Sequence, residues 1–434
     1  MTDSETPVYN TLKDYLSKDP VRLHVPFHNG LPNNNIFPKE LYNLDISEVS
    51  GYDTEGKDNP IFQSEKITAD FFGVEHSFYL TGGASVGLIA SLIALNKFGK
   101  KVILARNVHK SVINGIVLSS LEPVWLDVDF LDEWGIFSKV NPDNLKKLLT
   151  DKKDIAGCVI VSPTYEGIVS DVKEIAGICH KRNIPLIVDE AHGAHLSLRR
   201  ASATKQSHSA ICNKADLIIQ SWHKSLGSLT QSGVLHLVNE NFFTYNDIKR
   251  SLDLVSSTSP SFLLLLSLEL TRKYISDTNG SIFNTLLTLG QSLKKEMQEI
   301  QNLKTFNNDD PLKIYLKSKN ISGIDFAYEL YKKYSIEIEN ANEIGLLMSI
   351  GQGLNNKLKN KIIDAVREIM NRRDIACNVS AKNLKPHTKQ FKTNPRKAFM
   401  SGFKNNIVDY NCEITAPCPP GYAINVPGMK ESKS

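Results

Sequence analysis

The sequence predicts an α/β chain: a large domain with a mostly parallel sheet covered by helices, followed by a small C-terminal α+β domain. Between about residue 70 and residue 240, short apolar runs alternate with helical patterns, the signature of strands joined through helices. These runs are nearly continuous in Val, Ile and Leu, as strands buried on both faces must be. Past Pro311 the runs become shorter and mixed. A length of 434 residues with 41% hydrophobic content exceeds one ordinary core, so we expect an N-terminal arm over 1–60, a large domain over 61–305 and a small domain with its tail over 306–434.

The arm opens with Asp3, Glu5, Asp14 and Asp19 and holds no apolar run of signal-peptide length. No later stretch approaches the roughly 20 apolar residues of a membrane span, so a cytoplasmic protein is expected. Strands are expected over Lys101–Ala105, Pro123–Val128, Gly157–Val161, Pro185–Val188, Leu217–Gln220 and Gly233–Val238. Helices are expected after Gly83, over Lys110–Ser119 and over Asp171–Arg182, where apolar residues recur at helical spacing. Residues 253–305 read as two long helices, the first capped by Ser259 ahead of Pro260. The small domain reads as strand Leu312–Leu316, helix Gly323–Tyr334, strands Ile336–Ile338 and Leu346–Ile350, and helix Lys357–Asn371. The cluster Pro417-Cys418-Pro419-Pro420-Gly421 must be a fixed turn.

A net charge of +4 with no concentrated Lys/Arg run argues against nucleic-acid or membrane partners. Six cysteines without a CxxC pair suggest neither a zinc site nor a disulfide framework. In open α/β sheets ligands bind beyond the carboxyl ends of strands, which singles out four stretches. Thr81-Gly82-Gly83-Ala84-Ser85 turns into a helix whose first N–H groups and Ser85 hydroxyl could take a phosphate, or it is plain turn chemistry. It is neither GxGxxG nor GxxxxGK[ST]. Asp189 ends an apolar run and could anchor a pyridinium nitrogen, or serve as a salt-bridged or capping aspartate. With His192 and His195 it also resembles a metal cluster, but lacks a strong fourth ligand, so no metal is expected. Lys224 directly follows the strand Leu217–Gln220 among Ser, Trp, His, Leu and Gly, where a desolvated amine could form an imine; most lysines are instead solvated. His109 could cover a flat ring, or be a helix cap. A phosphate cradle, a ring-nitrogen aspartate and an imine-forming lysine are together what pyridoxal phosphate requires.

Ordered motifs run through nearly the whole chain: Asp19-Pro20-Val21-Arg22-Leu23-His24-Val25-Pro26, Arg106-Asn107-Val108-His109-Lys110-Ser111, Ser162-Pro163-Thr164-Tyr165, Asp189-Glu190-Ala191-His192-Gly193-Ala194-His195 and Ser221-Trp222-His223-Lys224. With Ser257-Thr258-Ser259 and the tail cluster Ala416 to Gly421, they make the chain resemble the Orn/Lys/Arg decarboxylase family in its short form, which has the pyridoxal-phosphate fold type I of aspartate aminotransferase. The resemblance implies that Lys224 holds the cofactor's aldehyde, Asp189 binds its ring nitrogen and His109 stacks on the ring. Gly83, Ala84, Ser85, Thr164, Ser221 and His223 would line its phosphate and ring edge, and His192 would lie beside its phenolic oxygen or the substrate carboxylate. Lys224 or His223 would return a proton to the substrate. Ser257, Thr258 and Ser259 would enter the neighbouring subunit's site, implying a homodimer.

Several positions depart from the family pattern. Ala84, Val86 and Gly87 replace polar residues in the phosphate loop, which predicts weaker cofactor binding. Phe27, Asn29, Cys418 and Met429 also differ, as does the stretch Asp53 to Gly56. A basic substrate needs a specific acid, since the net charge offers no general attraction for a cation; Glu413, Asp53 and Glu55 are the candidates. The expected activity is decarboxylation of arginine first, then lysine or ornithine, feeding polyamine metabolism. An aminotransferase or carbon–sulfur lyase of the same fold, and a catalytically impaired binding partner, are the alternatives.

Overall fold

The computed structural model describes the whole chain except residues 1, 4, 31–36, 48, 50, 53–55, 152, 202–207, 373–390, 405–407 and 431–434. Its contacts group the chain into two compact units, Met1–Lys97 with Pro185–Gly280 and Phe98–Ile184 with Ser281–Ser434.

In the first unit four strands lie in the order His76–Leu80, Gly233–Leu237, Leu217–Gln220, Leu186–Asp189. The last two run parallel with Asp189 opposite Ile219, whereas Gly233–Leu237 is antiparallel to both its neighbours. Every residue of the three strands after His76–Leu80 is buried, which is why their sequences are apolar throughout and polar work falls to their ends. The helix Gly83–Ala94 is apolar on most sides and packs on these strands. The N-terminal helix Pro7–Ser17 docks on the helix Phe262–Asp277: the buried Glu269 carboxylate accepts the N–H groups of Val8 at 3.1 Å and Tyr9 at 2.8 Å, above a cluster that includes Leu12, Tyr52 and Leu265.

The second unit holds the parallel strands Ile155–Val161, Lys101–Ala105 and Glu122–Leu126, with Lys101–Ala105 in the middle. Helix Lys110–Ser119 starts at His109, whose ring accepts the Ser111 N–H, and stops at Ser120 in the left-handed region. A hairpin, Val128–Leu131 with Ile136–Val140, precedes the helix Pro142–Asp151. A four-stranded antiparallel sheet in the order Leu303–Thr305, Lys313–Ser318, Leu346–Ser349, Asn340–Ala341 shares one core with the helices Ser281–Gln298, Gly323–Tyr334 and Asn356–Asn371.

The α/β class and the largely parallel strand pairing agree with expectation, and three local readings need correction. The expected strand Pro123–Val128 stops at Leu126, and Val128 opens the hairpin. No strand forms over Ile336–Ile338: those side chains pack on the small core while the Ile336 N–H returns to Leu330 at the helix end, and pairing begins at Asn340. The cap of Phe262–Asp277 is Ser261, because the Ser259 N–H is bound by Ser257 Oγ at 3.1 Å in a separate turn. The Pro417–Gly421 turn is present, closed by the Gly421 N–H on the Pro417 carbonyl at 2.7 Å. Cys158 and Cys179 are buried thiols and Cys212, Cys412 and Cys418 are also free; Cys377 lies outside the described residues. Among the described residues, no helix is long and apolar enough to cross a membrane.

Candidate active site

The parallel strands Leu186–Asp189 and Leu217–Gln220 end side by side, and the polar residues just beyond them form the site. Asp189 is 4% exposed and its Oδ1 accepts the Ala191 N–H at 3.1 Å. Burial pushes its carboxyl up to about 6, against the pull of the Lys224 charge and of that N–H. Lys224 sits in the one-turn helix Trp222–Ser225, and its Nζ lies 3.2 Å from His192 Nε2. An ammonium only donates, so His192 accepts at Nε2 when Lys224 is charged. The side chain of Lys224 is exposed, which corrects the desolvation expected for it. His223 Nδ1 lies 2.8 Å from the Ser232 carbonyl; the carbonyl only accepts, so Nδ1 carries the proton and Nε2 keeps a lone pair. Burial lowers the pKa of His223, with the Lys224 charge adding to the effect.

Next to this turn lies the helix that begins at Gly83. Gly83 has φ +74°, a backbone that suits glycine, and the helix follows Gly82, which has no side chain to cap it. The first N–H groups are therefore left for another acceptor, with the Ser85 hydroxyl exposed beside them. A Cβ on Gly233 would lie 3.1 Å from the Ala84 nitrogen and 2.6 Å from the Gln220 carbonyl, so the cradle and the strand leading to Ser221 meet at this glycine. Ser221 is buried, and its hydroxyl does not cap the turn it precedes. Gly87 lies outside the cradle: a Cβ there would come within 2.7 Å of Leu80 Cδ1, so its departure from the family pattern serves helix packing.

The remaining expected residues are spread more widely. His109 and Thr164 belong to the second unit. His109 Nδ1 accepts the Ser111 N–H at 3.2 Å, and the tail docks beside it through a bridge to Tyr422 and the Lys110 N–H on the Gly421 carbonyl at 3.0 Å. Thr164 is fully buried and its hydroxyl accepts the Ile168 N–H at 3.2 Å. Glu413 is exposed in the tail, Ser257, Thr258 and Ser259 form an exposed loop of the first unit, and Asp53 and Glu55 lie outside the described residues. The structure also brings forward residues not singled out from the sequence. Arg106 stacks over Trp125 and holds the tail carbonyls of Ala423 at 2.7 Å and Ile424 at 3.2 Å, with burial lowering its pKa to about 10. Glu190 and Gln220 are buried behind Asp189 and Lys224. Only their place in the strand-end motifs could have drawn attention to them.

The chain is similar to known proteins along nearly its whole length. The chain is 28% identical to an arginine decarboxylase of Bacillus subtilis (strain 168), across 99% of this chain and 91% of that protein. It is 27% identical to an arginine decarboxylase of Bacillus cereus, across 99% and 97%. Among solved structures, it superposes on the constitutive lysine decarboxylase of Escherichia coli with a TM-score of 0.81 at 16% identity, covering 99% of this chain and 76% of that one. It superposes on a serine palmitoyltransferase of Sphingomonas wittichii with a TM-score of 0.58 at 14% identity, covering 85% of each. The family of the Orn/Lys/Arg decarboxylase major domain matches residues 6–429, and the chain belongs to that family.

Proposed function

We propose that the chain is a pyridoxal-phosphate-dependent decarboxylase of a basic amino acid, arginine before lysine or ornithine. The observation that carries this reading is that Lys224 follows, and a buried Asp189 ends, adjacent parallel strands, near enough for the Lys224 charge to act on the carboxyl, beside an uncapped helix N-terminus. These residues fit the cofactor. The uncapped N–H groups after Gly83, with Ala84 and Ser85, suit a phosphate; the buried carboxylate suits a ring N–H; the exposed amine is open to an aldehyde. When bound, pyridoxal phosphate supplies the sink for the electron pair left as the substrate's carboxylate departs as carbon dioxide. Asp189 then keeps a proton at the ring nitrogen, since a neighbouring cation favours its ionised form. His192 Nε2 takes a proton from the Lys224 ammonium, to which it is already hydrogen-bonded. Lys224 Nζ, once it has taken that proton back from His192, or His223, once it has taken up a second proton at Nε2, would deliver the proton that replaces the lost carboxylate. Ser221 would add to the polar lining beside Lys224, and Thr164 and His109 would serve the cofactor as the family resemblance implies.

Glu413, with Asp53 or Glu55, would receive the substrate's distal cation. The working unit would be a homodimer, with Ser257, Thr258 and Ser259 of each copy entering the other's site. Val21, Leu23 and Phe27 are 88%, 92% and 98% exposed, an apolar edge that a second copy would cover. The expected setting is cytoplasmic polyamine metabolism.

The experiment is to incubate cofactor-loaded protein with arginine, lysine and ornithine separately and identify the products. Carbon dioxide with agmatine as the main amine is expected. Keto-acid release would assign an aminotransferase instead, and the absence of any product would favour a non-catalytic binding partner.

A further inference from the structure

A buried relay runs beneath the strand ends that carry Asp189 and Lys224. It starts at Glu190, which follows Asp189 and is fully buried. Glu190 Oε1 accepts the Ala210 N–H at 2.7 Å, and Oε2 accepts the Gln220 carboxamide N–H at 2.6 Å, with Ser209 Oγ at 3.3 Å. Gln220, also fully buried, ends its strand just ahead of Ser221. Its Oε1 accepts the Trp222 indole N–H at 3.0 Å and lies 3.2 Å from His236 Nε2. A carboxamide oxygen only accepts, so His236 carries its proton on Nε2, and its Nδ1 accepts from Ser77 Oγ at 2.8 Å. Burial pushes His236 down to about 3, so it is a neutral imidazole at neutral pH, and pushes Glu190 up to about 8 against the pull of its three donors.

Two physical points give this relay a role. The helix Trp222–Ser225 is a single turn without a side-chain cap, too short to hold itself, so the bearing of Lys224 must come from what anchors its neighbours. Well-packed apolar side chains of similar volume would often stabilise the fold at least as well as a buried polar network. What the hydrogen bonds add is geometry: they tie Trp222, two residues before Lys224, to Glu190, one residue after Asp189.

We propose that Glu190, acting through Gln220 and Trp222, is a positioning residue that holds the Lys224 amine in register with the Asp189 carboxylate. The proposal deepens the decarboxylase reading and rests on it. Neither Glu190 nor the indole N–H has any other part in the chemistry described above.

The test uses the full chain with Glu190→Leu, Trp222→Phe and Glu190→Gln. On cofactor-free protein, the rate of Lys224 acetylation by acetic anhydride is mapped by peptide mass spectrometry against the exposed Lys100 in the same sample. Glu190→Leu and Trp222→Phe should change the Lys224-to-Lys100 ratio severalfold and lower kcat of the loaded enzyme by about 10-fold at unchanged KM, as loss of orientation does. Glu190→Gln keeps the shape and one acceptor oxygen but turns its NH2 against a donor, so it should fall between the parent and Glu190→Leu in both readouts. Parental ratios and kcat in the first two variants, or losses that merely follow a lowered melting temperature, would overturn the proposal. A parent that yields no amine from any of the three amino acids would overturn the decarboxylase reading instead, and the acetylation ratio would still judge the relay.

Discussion

Two stretches with strong motif character are built in opposite ways. Around Asp189 and Lys224, the supporting side chains Glu190, Gln220, Trp222 and His236 are all fully buried and hydrogen-bonded to one another. In the N-terminal stretch 20–27, by contrast, Val21, Leu23 and Phe27 stand almost wholly in solvent. A single copy thus completes the support around Lys224 by itself, while its N-terminal edge stays apolar and exposed. Chemistry at Lys224 and assembly at Phe27 should therefore respond to different mutations.

The largest separation is expected from Asp189→Asn. It removes the buried carboxylate and should lower kcat on the order of 100-fold, with the oligomeric state in sedimentation unchanged. Leu23→Asp with Phe27→Asp should do the reverse, shifting the protein to monomer and lowering activity about 10-fold, with Lys224 acetylation in the cofactor-free protein left as in the parent. Loss of Lys224 reactivity in that double variant would erase the contrast between the two stretches. Glu413→Gln should raise KM for the cationic substrate severalfold at constant kcat, and an unchanged KM would remove Glu413 from the binding site.

The smallest effect concerns stability. The Glu190 carboxyl is raised from its ordinary 4.5 to about 8, so the folded state keeps a proton that the unfolded chain releases. Its stabilising contribution is complete below about pH 4.5 and is lost as pH rises through about 8. Glu190→Gln cannot ionise, so its melting temperature should fall several degrees less than the parent's between pH 5 and pH 8. Asp189, Glu166 and Glu65 are also raised, but they titrate in both proteins and leave the difference to Glu190.

Local signals made much of this fold readable. Helices Lys110–Ser119 and Gly323–Tyr334 follow from apolar spacing bounded by His109 and Ser120, and by Ser322 and Ser335. The strands Lys101–Ala105 and Leu217–Gln220 follow from runs buried on both faces. His76–Leu80 was less legible because His76 and Ser77 open it with polar side chains; Ser77 turns out to serve the buried His236. Ile336 and Ile338 alternate like a strand but contribute only side-chain packing. Among the candidate residues, Lys224, Asp189, Ser85 and His109 each stand at or just after a strand end, where chain order alone could find them. The Glu190 relay could not be read this way, since its links join strands about 30 residues apart and depend on burial.

The most direct test of the central claim is borohydride reduction of the pyridoxal-phosphate-loaded protein followed by peptide mapping. The account predicts one stable cofactor adduct, on Lys224, and none in Lys224→Ala, which should also lose turnover. An adduct on a different lysine, or turnover that survives Lys224→Ala, would contradict it.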